Sequence, residues 1–237
     1  MRINKFLASC GVASRRNSEQ YVLEGRVKVN GKVVTALATE INLNNDTVTL
    51  DGKTVSLPKN HIYLMMNKPK GFICTVSDDR ERKTVIDLLP DNYKSKRVFP
   101  IGRLDYDSEG LLLLTTDGDL ANRLMHPGSD VGKTYVCKVE GQVPEAEIAK
   151  LRKGVMLDGS LTKKAKITLK EFDGKFSRYE ITISEGRNRQ IRRMFETVNK
   201  EVVFLRRVAI GDLRLGGLYR GETRELKPEE IEYLMKF

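Results

Sequence analysis

One acidic residue, Asp105, stands on a predicted turn between two apolar segments. The run 102–105 follows Pro100 and Ile101 and precedes the four leucines of residues 111–114. Farther along the chain, residues 185–194 contain four arginines within ten positions. A carboxylate at a strand edge, combined with guanidinium groups at the start of a helix, suits carboxylate chemistry on a polyanion. The sequence therefore predicts a site of this kind.

The composition agrees with an acidic partner. The 237 residues include 42 basic and 32 acidic side chains, which gives a net charge of +10. A hydrophobic content of 40% is enough for a packed core, so the chain is predicted to be folded. A strongly basic folded protein favours nucleic acid as its partner, although a merely soluble basic protein has the same composition.

Cysteine and histidine are too sparse for several common kinds of site. The three cysteines are far apart and the histidines number two, so we expect no zinc site, no disulfide framework and no histidine-based triad. Free thiols are typical of a reducing compartment, which predicts a cytoplasmic location. No apolar run approaches ~18 residues, so we expect no membrane span.

The first 58 residues are predicted to form a separate unit. Two helices are expected, one near residues 3–10 and one capped by Ser14 and running to about Glu24. Asn30-Gly31 and Asp51-Gly52 each lie between short β-prone runs, which predicts two tight hairpins. Residues 1–32 carry seven basic and two acidic side chains, a net charge of +5 on a very small element.

This unit resembles the S4 RNA-binding domain. The resemblance rests on the runs 2–7, 11–16 and 25–31. In that family the two helices and the hairpin hold basic residues against structured RNA. The resemblance implies RNA contacts by the basic side chains of Arg2, Lys5, Arg15, Arg16, Arg26 and Lys28.

After a linker at residues 58–60, a larger domain is predicted over residues 62–237. Strands are expected at 62–66, 72–76, 98–99, 111–115, 135–139, 166–169, 179–183 and 202–205, and helices at 117–124, 144–153, 188–198 and 228–236. Strands and helices do not alternate strictly. The whole chain is therefore predicted to be α+β, with a mixed, largely antiparallel sheet flanked by helices in the second domain.

Four runs of this second domain resemble the pseudouridine synthases of the RsuA class. They are residues 67–71, 102–115, 133–135 and 187–193, in this order. An S4-type domain in front is usual for that class. The resemblance implies an isomerase that breaks the N1–C1′ bond of a uridine in RNA, rotates the uracil and rejoins it through C5. No group is transferred and the redox state is unchanged, so no cofactor or metal is implied.

The resemblance also implies roles for individual residues. Asp105 matches the catalytic carboxylate, acting either as a nucleophile or as a base toward the ribose. Arg192 matches the ion-pair partner of that carboxylate, and Tyr135 matches the aromatic residue that packs on the target base. The remaining cations of these runs are expected to contact RNA phosphates, namely Arg103, Arg187, Arg189 and Arg193.

A further resemblance indicates which RNA is the substrate. Residues 120–127 resemble the RluB branch of the class, which implies large-subunit ribosomal RNA, free or within a pre-ribosomal particle. Small-subunit ribosomal RNA stays open as an alternative, and so does a ribosome-associated RNA-binding protein without activity. We expect a monomer that needs no small-molecule cofactor and no membrane.

Overall fold

The computed structural model describes residues 1–126 and 128–237, so only the last residue of the run 120–127, Pro127, lies outside the described residues. The first elements form a small sheet with two helices beside it. They are α1 (Ile3–Ser9), α2 (Arg15–Leu23), β1 (Val27–Val29), β2 (Lys32–Val33), β3 (Val48–Leu50) and β4 (Lys53–Val55). The sheet order is β2-β1-β3-β4, and all neighbours are antiparallel.

Local sequence signals set these elements. The hydroxyl oxygen of Ser14 accepts a hydrogen bond from the backbone N–H of Asn17 at 3.1 Å and so caps α2 as predicted. Asn30 and Gly31 both have positive φ, at 50° and 79°, the conformation that a two-residue hairpin turn requires. Both hairpin predictions are confirmed.

The larger part of the chain begins at residue 63. Its first elements are β5 (Tyr63–Lys68), α3 (Asp91–Lys94), β6 (Phe99–Ile101), β7 (Glu109–Thr115), α4 (Gly118–Met125), β8 (Lys133–Glu140) and α5 (Glu145–Lys153). The remaining elements are β9 (Met156–Leu157), β10 (Ser160–Leu161), β11 (Lys166–Phe172), β12 (Phe176–Ile183), α6 (Gln190–Glu196), β13 (Val202–Ile210), β14 (Leu213–Arg214), β15 (Thr223–Glu225) and α7 (Pro228–Met235).

One mixed sheet of nine strands organises this part. Its central order is β11-β12-β8-β13-β7-β5-β15, with β14 paired to β13 and β6 paired to β7. The pair β13–β7 is parallel, and the other pairs are antiparallel. Apolar side chains are buried on both faces of the sheet, in two separate clusters. The predicted α+β class, with a largely antiparallel mixed sheet, is confirmed.

Two sequence predictions near β5 fail. The strand predicted at 72–76 is not formed, because this segment makes only a single bridge, between Ile73 and Thr84. The strand predicted at 62–66 ends too early, since β5 continues through Asn67 and Lys68. Asn67 is held there by distant partners, donating from its amide to the carbonyl of Leu218 at 2.7 Å.

Among the described residues, two polar side-chain contacts join the N-terminal unit to the larger part. Lys5 of α1 forms an ion pair with Asp119 of α4 at 2.6 Å. Arg97 donates to the backbone carbonyl of Val12 at 3.0 Å. The division at residues 58–62 stays a prediction.

Candidate active site

A cleft of about 630 Å³ opens beside the central strands. Its walls include the loop between β6 and β7, the end of α4, the start of β8, the segment between β12 and α6, and β13. Polar side chains that line it include Arg103, Asp105, Tyr135, Arg187, Arg189 and Arg207. The cleft therefore brings the predicted carboxylate and the predicted aromatic residue together.

Asp105 lies on the loop between β6 and β7 and is half-buried. Its backbone is fixed, because its carbonyl accepts hydrogen bonds from the N–H of Ser108 at 3.1 Å and from the ammonium of Lys68 at 3.0 Å. Its carboxylate has no ion pair and no hydrogen bond within the described residues. A held backbone and a free carboxylate leave the acidic group directed to whatever fills the cleft.

Lys68 is the residue that ties this loop to the sheet. It is fully buried at the end of β5, and its ammonium donates to the carbonyls of Pro69, Asp105 and Ser108 at 3.1, 3.0 and 2.9 Å. Burial lowers the pKa of Lys68 below its usual value. The three carbonyls offset part of the cost of burying the charge, so the loop and the lysine hold each other in place.

Cys74 fixes the residue just before Asp105. Its thiol donates to the carbonyl of Leu104 at 3.4 Å and accepts from the N–H of Leu104 at 3.3 Å. Burial raises the pKa of Cys74, which keeps the group a neutral thiol that can make both contacts. The backbone on either side of Asp105 is thus anchored.

Tyr135 stands in a row of residues that crosses the sheet. The Cα register pairs Lys68 with Gly110, Gly110 with Arg207 and Arg207 with Tyr135. Side chains in one such row point to the same face. Gly110 has φ of 109°, and a Cβ there would lie 2.1 Å from the carbonyl oxygen of Arg207. Only glycine fits at this position. Of the row, Tyr135 and Arg207 line the cleft, and Lys68 is buried against the Asp105 loop.

The expected ion pair between Arg192 and Asp105 is not formed. Arg192 instead pairs with the carboxylate of Asp107 at 3.2 Å and donates to the carbonyl of Val202. Arg189 reaches the same carboxylate at 3.1 Å. The loop turns after Asp105, and this brings the later acidic residue rather than Asp105 against α6. The catalytic role of Arg192 stays a prediction, and its visible role is to anchor the loop.

Two other arginines of the run 187–193 hold the β9–β10 hairpin. Arg187 donates to the carbonyls of Leu157, Ser160 and Leu161 at 3.1, 3.0 and 2.6 Å. Arg193 forms a bidentate pair with Asp158, with both distances 2.7 Å. These guanidinium groups, predicted to contact RNA, are engaged within the protein. Arg103 is exposed at the cleft and makes no ion pair among the described residues.

The predicted RNA-binding residues of the N-terminal unit divide in the same way. Lys5 pairs with Asp119, while Arg26 pairs with Asp51 at 2.7 Å and lies 4.1 Å from the ring centre of Tyr21. The other four are exposed and make no side-chain ion pair or hydrogen bond in the part of the chain that the structure describes: Arg2, Arg15, Arg16 and Lys28.

Sequence reasoning missed the parts played by three residues. Lys68 was recognised only as part of a motif, and Cys74 and Arg207 were not singled out. Their importance depends on burial and on partners distant in the chain, which no local pattern reveals. The described residues hold no cluster of side chains suited to a metal ion. They also include no helix that is long and apolar enough to cross a membrane.

Comparison with known proteins gives consistent matches. Residues 62–197 match the family model described as RNA pseudouridylate synthase, and residues 1–48 match that of the S4 domain. The chain is 45% identical to ribosomal large subunit pseudouridine synthase B of Bacillus subtilis, over 98% of this chain and 95% of that protein. It is 42% identical to an uncharacterized RNA pseudouridine synthase of Aquifex aeolicus, over 100% of this chain and 94% of that protein. A solved pseudouridylate synthase has a TM-score of 0.71 at 32% identity and covers 99% of both chains.

Proposed function

Because the chain belongs to the RNA pseudouridylate synthase family and carries an S4 domain, we propose that it isomerises a specific uridine of large-subunit ribosomal RNA, with Asp105 as the catalytic carboxylate. The observation that carries the proposal is the free carboxylate of Asp105 on an anchored loop, in one cleft with Tyr135. The name of the Bacillus subtilis relative supports the choice of the large subunit.

The reaction needs little beyond such a cleft. The bond between N1 of the uracil and C1′ of the ribose breaks, a bond from C5 to C1′ forms, the proton on C5 leaves and N1 takes up a proton. Electrons balance without an oxidant or reductant. A carboxylate beside the ribose can serve as a nucleophile at C1′ or as a base toward the sugar, and an uncommitted, half-buried group is suited to either role.

Access to the base sets the second requirement. A uridine within an RNA helix must leave its stack before a protein group reaches the glycosidic bond. Tyr135 is buried in the cleft wall, where its ring can pack against the displaced base. Such stacking stabilises a base by roughly 1–3 kcal/mol. Arg103, exposed at the same cleft, is positioned for an RNA phosphate.

The proposal extends to how the protein works in the cell. We expect it to act as a monomer in the cytoplasm, on ribosomal RNA or a pre-ribosomal particle, with the S4 domain holding the RNA through its exposed cations. The two parts are expected to divide at residues 58–62.

The test is carbodiimide mapping by primer extension on unmodified 16S and 23S transcripts, and on precursor particles from a deletion strain. Wild type, Asp105→Asn and the control Asp91→Asn are compared, because Asp91 is an exposed residue of α3. We expect one new stop on 23S RNA with wild type and with the control, and none with Asp105→Asn. RNA affinity should be unchanged in all three proteins.

Three outcomes would contradict parts of the proposal. A stop on 16S RNA would assign the other subunit. A stop that persists with Asp105→Asn would remove Asp105 from catalysis. Intact binding without a stop on either RNA or on the particles would leave an RNA-binding protein without this activity.

A further inference from the structure

Arg207 is a buried cation that the reaction outlined above does not use. Its side chain is almost entirely buried on β13, at 3% exposure. No carboxylate lies within ion-pair distance of it among the described residues, and its Nη2 atom has no hydrogen-bond partner there. A buried, unpaired guanidinium lowers stability, so a site that keeps one calls for an explanation.

Arg207 hydrogen-bonds to one group on β7 and to one group in the cleft wall. Its Nε donates to the carbonyl of Leu111 at 2.7 Å, just beyond the glycine opposite Arg207 in the row. Its Nη1 lies 3.4 Å from the hydroxyl oxygen of Tyr135. This is a long hydrogen bond, and such bonds in unliganded sites often tighten when substrate binds. The guanidinium therefore bridges the strand that follows the Asp105 loop and the tyrosine of the cleft.

The chemistry of the two groups fixes the direction of this bond. An arginine has five N–H donors and no acceptor, so the tyrosine oxygen must accept from it. The hydroxyl proton of Tyr135 must then point away from Arg207. Tyr135 and Arg207 both line the cleft, so the open side of that hydroxyl is the cleft itself.

We propose that Arg207 is a positioning residue that makes the Tyr135 hydroxyl a hydrogen-bond donor toward the nucleotide bound in the cleft. The inference rests on the proposed function, because the acceptor is an oxygen of the target uridine. Arg207 is one of the arginines that line the cleft together with Asp105, whereas Arg192 is paired with Asp107.

Arg206 provides a matched control for this idea. It is the preceding residue of β13, also an arginine, and its side chain points to the opposite face of the sheet. The Arg206→Met variant removes the same group from the same strand without touching Tyr135. Arg207→Lys keeps the charge with a single donor group, and serves also if Arg207→Met fails to fold.

The first experiment measures single-turnover rates and KM for the two methionine variants, Tyr135→Phe and the double variant Tyr135→Phe/Arg207→Met. We expect Arg207→Met to lower the rate about 100-fold with KM changed less than about threefold, and Arg206→Met to change neither. In the Tyr135→Phe background the Arg207 change should cost less than about threefold, because the hydroxyl that it orients is absent. Arg207→Lys should recover part of the rate.

Full additivity in the double variant, or an equal loss with Arg206→Met, would overturn the inference. A second readout needs no activity. In protein labelled with ¹³C at Cζ of tyrosine, the Tyr135 resonance should shift with Arg207→Met and not with Arg206→Met. If wild type forms no pseudouridine, the proposed function fails while this measurement still reports on the contact. An unmoved resonance in an active protein defeats the inference alone.

Discussion

The N-terminal unit leaves more of its cations unpaired than the cleft does. In the N-terminal unit Arg2, Arg15, Arg16 and Lys28 are exposed and make no ion pair within the described residues. Around the cleft, in contrast, almost every cation is tied to a protein group, through carbonyls, carboxylates or the β9–β10 hairpin. A dense arginine run in a sequence is therefore weak evidence for nucleic-acid contact by itself.

This difference has a physical origin. Guanidinium groups make several directional hydrogen bonds at once, so they can brace loops that carry few apolar side chains. A site that must hold a carboxylate loop, a hairpin and a helix together needs such braces. An RNA surface instead needs cations that replace counterions on phosphate, and these must stay accessible to solvent. Substitutions in the two regions should consequently affect different quantities.

The largest effect is expected from Lys68→Met. Methionine has a similar length but no donor, so it leaves the carbonyls of Pro69, Asp105 and Ser108 without their partner. We expect a loss of about 3 kcal/mol in the free energy of unfolding and at least about a tenfold fall in the rate of isomerisation, with RNA affinity unchanged. Urea unfolding and single-turnover assays check this, with the exposed Lys166→Met as the control. Unchanged stability and rate would show that the lysine does not hold the loop.

The next largest effect is expected from Arg187→Ala. Its guanidinium binds three carbonyls of the β9–β10 hairpin, so removal should cost about 2 kcal/mol and lower Tm by about 4–8 °C. Arg214, exposed on β14, gives the matched alanine control. Scanning calorimetry measures the shift, and filter binding measures RNA affinity. A fall in RNA affinity without a change in Tm would show that Arg187 contacts RNA and does not hold the hairpin.

The sequence predicts those parts of the molecule that local chemistry determines. Ser14 caps its helix, and Asn30-Gly31 and Asp51-Gly52 form their turns, because the interactions span a few residues. The two family resemblances are confirmed, and the resemblance to pseudouridine synthases located the Asp105 loop and Tyr135. These features need no knowledge of distant partners.

The predictions that failed concern residues whose partners are distant in the chain. β5 extends through Asn67 and Lys68 because both residues have partners in the folded chain, including the carbonyl of Leu218 for Asn67. These partners lie far along the chain, so a local pattern does not reveal them. The strand expected at 72–76 has suitable residues but no neighbouring strand to pair with along its length. The partner of Arg192 was misassigned because two acidic residues stand two positions apart, and only the turn between them decides which one faces α6.

The smallest effect is expected from the exposed cations of the N-terminal unit. Arg15→Ala combined with Arg16→Ala removes two cations at the start of α2 that have no partner among the described residues. We expect RNA affinity to fall about five- to tenfold at moderate salt, and the slope of log K against log salt to decrease by about 1.5–2, as for two lost phosphate contacts. Stability and the rate at saturating RNA should stay at the wild-type values.

Arg26→Ala is the informative control, because its guanidinium is already paired with Asp51. If Arg26→Ala lowers the salt slope as much as the double variant does, intramolecular pairing does not separate cations that bind RNA from those that do not. The contrast between the two regions would then be one of exposure alone.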